Sequence, residues 1–370
     1  MLAPTESSAI RGMASIEVVP LHVPLERPFH AAVGVIASVD PILVIARDQD
    51  GCTGYGLAFA FGPRDAQAIV AAICAISPAA TGAGSVGIRA SRRALLQALE
   101  FIGVGGPSIA ALSAIDMALW DHLGRRSQTP LWQLLGGARP SVAAYASCGS
   151  LALDDHDLVA EVEELIDHGH RAVKIKCRGD AAFDRKRMLA LRAAFGERLR
   201  IAADLNQALS VKEAIRWTES IESCSPWWIE EPIAARDLDG HARVRSAITC
   251  DLASGENLYG EAAALESIQR RSADILMPNL QRIGGITSWL SIASHAEAAG
   301  IRMGAHVHPE YQIQMMCATD SAVAVECWPG WPWLWQEPLV CIDGEVRAPA
   351  RPGIGLSPDW DTIERYRMDR

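Results

Sequence analysis

Seven apolar runs in the second half of the chain each finish on a polar or charged residue, and this repeat constrains the fold more than any other feature. The runs are Ala172 to Lys176, Ile201 to Asp204, Trp227 to Glu230, Leu252 to Glu256, Asp274 to Asn279, Ile301 to His306 and Ala322 to Glu326. They recur at intervals of roughly 20 to 30 residues with amphipathic, helix-length segments between them, which is the pattern of parallel βα units. A further run, Val142 to Cys148, supplies the first strand. Enough such units close an α/β barrel of the TIM type, whose strand C-termini surround one mouth. One charged strand end reads as a solvated terminus. Seven at the same place read as a site.

At 370 residues the chain exceeds what such a barrel needs, so a second domain is expected. The division expected is an α+β capping domain over 1–140, the barrel over 141–340, and a tail over 341–370 that returns to complete the cap. In the first part, Ile16 to Leu25, Pro41 to Ala46 and Cys52 to Ala60 read as strands of a meander, with a turn at Asp50-Gly51. Helical spacing follows over Asp65 to Ile76, Arg89 to Glu100 and Ile109 to Leu123, and Thr129-Pro130-Leu131 starts a short helix. Pro28 to Ile36 is apolar, carries Gly34 as a hinge and is expected to be a loop forming a lid over the mouth. Cys341 to Gly355 has strand character.

The net charge of -10, with no stripe of Lys and Arg, argues against a nucleic-acid partner. Nine cysteines without C-x-x-C spacing indicate neither a disulfide framework nor a zinc site, so reduced and mostly buried thiols are expected. Met1 to Ser15 has no apolar core of a signal peptide, and Ala68 to Ala80 is broken by Pro78 and too short to span a bilayer. A cytoplasmic enzyme with no membrane partner is the expectation.

The strand-end residues suggest a chemistry. Asp204, Glu230 and Glu256 lie on three successive strands, and three anions in one mouth repel unless a cation neutralises them; hard oxygen donors suit Mg2+. Lys174 and Lys176 are two apart on one strand and share a face, so each ammonium is expected to disfavour protonation of the other and bring one toward use as a base. His306 ends a strand expected on the far side, where a second base can face the first across a carbon. Proton removal next to a carboxylate builds an enediolate, which needs a divalent cation and hydrogen-bond donors. Glu326, kept protonated among anions, is a candidate donor.

The ordered set Lys174-x-Lys176, Asp204-x-Asn206, Trp228-Ile-Glu-Glu-Pro232, Gly255-Glu-Asn257, Pro278-Asn279-x-x-x-Ile-Gly-Gly285 and Ala305-His306 with a late Glu326 resembles the enolase superfamily, mandelate racemase subgroup. Ala32 to Gly34 and Ala114 to Asp121 extend the resemblance over nearly the whole chain. The resemblance implies a modified, enolase-like barrel and a homo-oligomer acting on a small carboxylate. It implies Asp204, Glu230 and Glu256 as Mg2+ ligands, Lys176 as the base on one enantiomer, and Lys174 at the substrate carboxylate. His306 becomes the opposite base, Glu326 the donor to the enediolate, and Asn206 and Ser147 substrate contacts. In the lid, Val33 and His30 are the expected contacts.

One position departs from the family. Asn279 stands where the family has an Asp supporting the His, and Asn orients an imidazole by hydrogen bond without adding charge. His306 is therefore expected to be the weaker base, with His308 either compensating, lying at the surface or standing behind the residues that touch substrate. Three readings follow: racemisation of a mandelate-like 2-hydroxy acid, favoured by the apolar lid; dehydration of an acid sugar to a 2-keto-3-deoxy acid; or a binding or regulatory protein whose barrel has lost catalysis through Asn279. A two-metal hydrolase fits worse, for want of further His ligands. The run Trp328 to Trp335 reads as a pocket wall, a subunit contact or a packed loop.

Overall fold

The computed structural model describes residues 13–81 and 87–368; residues 1–12 of the N-terminal stretch read above lie outside them. The first strand reading, Ile16 to Leu25, resolves into β1 (Met13–Pro20) and β2 (Val23–Ala31), interrupted where Leu21 N–H turns to Pro41 O at 2.8 Å. Both pair antiparallel with the same long strand, β3 (Gly34–Asp48), on one side. On its other side β3 pairs with β4 (Thr53–Ala60). The helices α1 (Pro63–Thr81), α2 (Ile88–Ala98) and α3 (Pro107–Arg126) cover this sheet, and α4 (Leu131–Leu134) follows. Gly54 and Gly56 permit the closest approach: a Cβ on Gly56 would stand 1.9 Å from Ala114 O, so β4 and α3 pack backbone on backbone.

Eight parallel strands then form the barrel. β5 (Ser141–Cys148), β6 (Ala172–Lys176), β7 (Arg200–Asp204), β8 (Trp228–Glu230), β9 (Asp251–Ser254), β10 (Ile275–Leu276) and β11 (Arg302–Met303) pair in chain order. β12 (Val325–Cys327) closes the ring by pairing with β5, while Met303 bridges Ala322 just ahead of it. The crossovers are α5 (Asp155–Asp167), α6 (Ala181–Phe195), α7 (Val211–Ile221), α8 (Leu238–Ala247), α9 (Gly260–Arg270), α10 (Leu280–Ile283) with α11 (Gly285–Ala298), and α12 (Pro309–Met316). Asp154, Asp180 and Asp237 accept backbone N–H bonds at the starts of α5, α6 and α8, and Ser210 with Glu213 forms a capping box on α7. Outward Val173, Ile175, Ile201, Ala203, Ile229 and Leu252 pack beneath these helices.

No barrel helix follows β12. A hairpin of β13 (Cys341–Ile342) and β14 (Glu345–Arg347) instead pairs antiparallel with the start of β5, at the barrel floor. The chain then reaches the cap: Leu131 N–H donates to Gly353 O at 2.7 Å and Ile354 N–H to Asp121 Oδ1 at 2.7 Å. After α13 (Trp360–Tyr366), Met368 N–H donates to Pro20 O at 2.9 Å. This is a modified TIM-type barrel whose cap is completed by the tail. All nine cysteines are free.

Candidate active site

Alternation along the strands separates two layers inside the barrel. Tyr145, Ala172, Ala202, Trp228 and Ala253 fill the lower layer with apolar groups. Above them lie Lys174, Asp204 and Glu230, because each is two residues further along its strand. Register sets neighbours level: Lys176 pairs with Asp204, and Asp204 with Glu230. Five non-glycine residues with left-handed backbone, Asn206, Gln207, Glu231, Val307 and His308, follow β7, β8 and β11 at the mouth. Strained backbone of this kind concentrates where side chains are aimed for function.

Ligand oxygens of Asp204, Glu230 and Glu256 all lie within 4.8 Å of one another. Beside them Asn206 Oδ1 is buried with no partner, its backbone N–H bound to Asp204 Oδ1 at 2.9 Å. Three carboxylates with an orphaned amide oxygen nearby form a hard-oxygen donor set, which fits Mg2+. Lys174 Nζ lies 2.5 Å from Glu230 and 3.0 Å from Glu326, and Lys176 Nζ lies 2.5 Å from Asp204.

Two expectations are corrected here. The lysines do not hold each other neutral: burial lowers both and Lys174 also lowers Lys176, but Glu230, Glu326 and Asp204 raise Lys174 well above its ordinary value, and Asp204 with Glu256 raises Lys176 above its own. Nor does Glu326 retain a proton. Burial raises it, yet Lys174, His306 and the Val307 N–H at 2.7 Å bring it below the usual carboxylate range. Burial instead pushes up Glu230, to about 7, with Lys174 opposing and Asp204 reinforcing the rise, and pushes the adjacent Glu231 well above its ordinary value, reinforced by Glu256.

Asn279 and His306 form a parallel bridge at the ends of neighbouring strands. Asn279 Oδ1 accepts the Gln281 N–H at 2.9 Å, capping α10, which turns its amide nitrogen toward His306 Nδ1 at 3.1 Å. Since that nitrogen only donates, Nδ1 accepts, and the neutral ring carries its proton on Nε2. Nε2 faces Glu256 Oε2 at 2.7 Å, an acceptor, in agreement. His308, for which a surface position was one expectation, is fully buried; neither ring nitrogen has a partner, and burial pushes it down to about 3. Phe59, Trp331 and Tyr311 surround it.

These groups open into a cavity of about 290 Å³. Its floor and polar side carry Ser147, Lys174, Lys176, Asn206, Glu256, His306 and Glu326, with Gln207, Asn257 and Arg282. The opposite side is Phe29, Ala31, Val33, Ile36, Phe59, Phe61 and Trp328. The lid, expected as a loop, is a hairpin: Phe29 pairs with Ile36 and Ala31 with Gly34, so β2 and β3 extend past the sheet and reach the mouth. His30, an expected contact, does not line the cavity; alternation gives Phe29 and Ala31 that face, and the His30 backbone is bound to Ser150 Oγ and Leu151 N. The tryptophan run divides: Trp328 lines the cavity, while Trp331 and Trp335 donate to buried Glu310. Sequence reasoning missed Phe59, Phe61, Gln207, Asn257 and Arg282. Asn257 and Arg282 sit inside recognised motifs, whereas nothing local marks the two phenylalanines.

Comparison with known proteins agrees with this fold. Residues 13–136 match the N-terminal domain of the mandelate racemase / muconate lactonizing enzyme family, and residues 157–362 match the enolase C-terminal domain-like family. The 3,6-anhydro-alpha-L-galactonate cycloisomerase of Streptomyces coelicolor is 30% identical over 90% of this chain and 93% of that relative. An enolase from Bradyrhizobium, crystallised with magnesium and mandelic acid, superposes with a TM-score of 0.91 at 32% identity, covering 99% of this chain and 100% of that one. The L-talarate/galactarate dehydratase of Salmonella typhimurium gives 0.93 at 26% identity, covering 100% and 95%. With both halves matched and the strand-end constellation assembled at one mouth, the chain belongs to the mandelate racemase and muconate lactonizing enzyme family of the enolase superfamily.

Proposed function

We propose that this enzyme removes the α-proton of a 2-hydroxy carboxylate bearing an apolar, aryl-sized group and returns a proton to the same carbon, racemising a mandelate-like acid. The observation that carries this reading is the cavity itself. Lys176 and His306, from strands that are not neighbours, open into one space whose other side is Phe29, Val33, Phe59, Phe61 and Trp328. Such a wall has few groups to receive the hydroxyls of an acid sugar, and an aryl 2-hydroxy acid has no β-hydroxyl to expel.

In this reading Asp204, Glu230 and Glu256 hold Mg2+, which supplies positive charge against the enediolate when bound. Lys174 and Ser147 face the substrate carboxylate, and the unpartnered Asn206 amide takes the hydroxyl. Lys176 acts as base once released from Asp204, and His306 serves the opposite face. Glu326 enters ionised, held by Lys174 and the Val307 N–H, and donates only after taking a proton from the Lys174 ammonium 3.0 Å away, which is left as the neutral amine.

The tautomer favours a second reading. An Nε2–H imidazole donates a hydrogen bond and takes no proton at that nitrogen. Chemistry then starts from Lys176 alone, as one-sided exchange, or as elimination with His306 supporting the departing hydroxyl and Gln207, Asn257 and Arg282 meeting a polar substrate. Proton NMR in D2O with Mg2+ separates the two, using each enantiomer of mandelate and a panel of acid sugars. Exchange of both enantiomers with loss of chirality supports racemisation, and a 2-keto acid product supports elimination. No α-proton exchange with any aryl 2-hydroxy acid would sink the first reading.

A further inference from the structure

Phe59 is the hub of the aromatic wall. Its ring lies 5.3 Å from Phe61, 5.1 Å from Trp331, 5.4 Å from His308 and 6.2 Å from Trp328, joining the cap to the barrel loops. Its backbone has an uncommon partner. Phe59 pairs with Pro41 in β3, but Pro41 O turns away to accept the Leu21 N–H, so the pair shares no hydrogen bond and the Phe59 N–H and C=O face the open edge of β4. Both are taken by a single side chain: Phe59 N–H donates to Gln281 Oε1 at 2.6 Å, and Gln281 Nε2 donates to Phe59 O at 3.0 Å. The amide of Gln281 thus does for the sheet edge what another strand would do.

The rest of Gln281 is held as firmly. Its N–H is capped by Asn279 Oδ1, the bond that turns the Asn279 amide toward His306, and its C=O accepts Ser113 Oγ of α3 at 2.9 Å. We propose that Gln281 is a positioning residue that clasps the cap to the barrel and sets where the aromatic wall stands relative to His306, and thereby how large an apolar group the site accepts. This rests on the reading that the substrate carries such a group. The choice of residue is specific, since only a carboxamide offers a donor and an acceptor at the spacing of a peptide unit.

The test uses full-length protein with Mg2+ and two variants, Gln281→Met, which keeps the bulk and loses both bonds, and Gln281→Glu, which keeps only the acceptor. Hydrogen–deuterium exchange of the segment containing Phe59 is expected to quicken about tenfold or more in Gln281→Met and less in Gln281→Glu, with β1 and the far half of β3 unchanged. The preference for mandelate over lactate in α-proton exchange, as kcat/KM, is expected to fall about tenfold in Gln281→Met, through KM more than kcat. Unchanged exchange at Phe59 overturns the clasp, and an unchanged preference in a variant with a labile Phe59 amide overturns its role in specificity. Should wild type exchange neither acid, the substrate reading fails, while the exchange of Phe59 still decides the clasp.

Discussion

Asn279→Asp tests the tautomer directly. In wild type, moving the imidazole proton to Nδ1 breaks the 3.1 Å bond from Asn279 and sets two N–H groups face to face, a cost of about 2 to 3 kcal/mol. A carboxylate has two acceptor oxygens, so it keeps the cap on Gln281 with one and accepts Nδ1–H with the other. That charge-assisted bond favours the opposite tautomer by about 2 kcal/mol. The swing of about 4 to 5 kcal/mol corresponds to roughly a thousandfold change in the share of His306 whose Nε2 is free to take a proton. The assay is loss of the α-proton signal in D2O, run separately on each enantiomer of mandelate. Lys176→Ala first identifies the enantiomer that depends on Lys176. For the other enantiomer, Asn279→Asp is expected to accelerate exchange by two to three orders of magnitude, about what that swing allows. A ratio of the two rates within about threefold of wild type would refute the tautomer assignment, because the swing leaves no room for so small a change.

Glu310 gives a pH prediction away from the chemistry. Burial pushes its carboxyl up to about 7, against its own backbone N–H and the indole N–H bonds from Trp331 and Trp335. The native state holds that proton more tightly than the unfolded chain. The contribution is therefore complete below the ordinary value of 4.5 and fades as pH rises to about 7, by on the order of 3 kcal/mol. Denaturant midpoints at pH 4.5 and 8 should differ in wild type and much less in Glu310→Gln; equal shifts in both would rule out this carboxyl as their source. For the metal, magnesium at a hundred times its Kd should stabilise wild type by about 2.7 kcal/mol, read as a rise in Tm. Glu230→Gln should lose most of that rise, and an undiminished rise would remove Glu230 from the ligand set.

The barrel was legible because its signals are local. Ala172 to Lys176 alternates and ends in charge whatever surrounds it, and the amphipathic stretches between such runs have helix length. Asp204, Glu230 and Glu256 could be grouped because parallel strands of one register bring their ends to one mouth. The lid was read as a loop because Pro28 and Gly34 suggest one, yet β3 continues through it and pairs back on β2. His30 fell on the wrong side for the same reason, since a strand register, once fixed, assigns every side chain to a face.

The amino-acid order alone determined the alternation of strand and helix, the charged strand ends and the substitution of Asn279, since each depends on residues close together in the chain. Tertiary structure decided what those groups are. Burial holds Glu230 up despite its contact with Lys174, whereas Lys174, His306 and the Val307 N–H together bring Glu326 down, and the His306 tautomer follows from the cap on Gln281. The aromatic wall of the cavity is tied to the barrel by a pair 222 positions apart, Phe59 and Gln281. Such contacts depend on distances between segments that the chain brings together only on folding, so no local pattern encodes them.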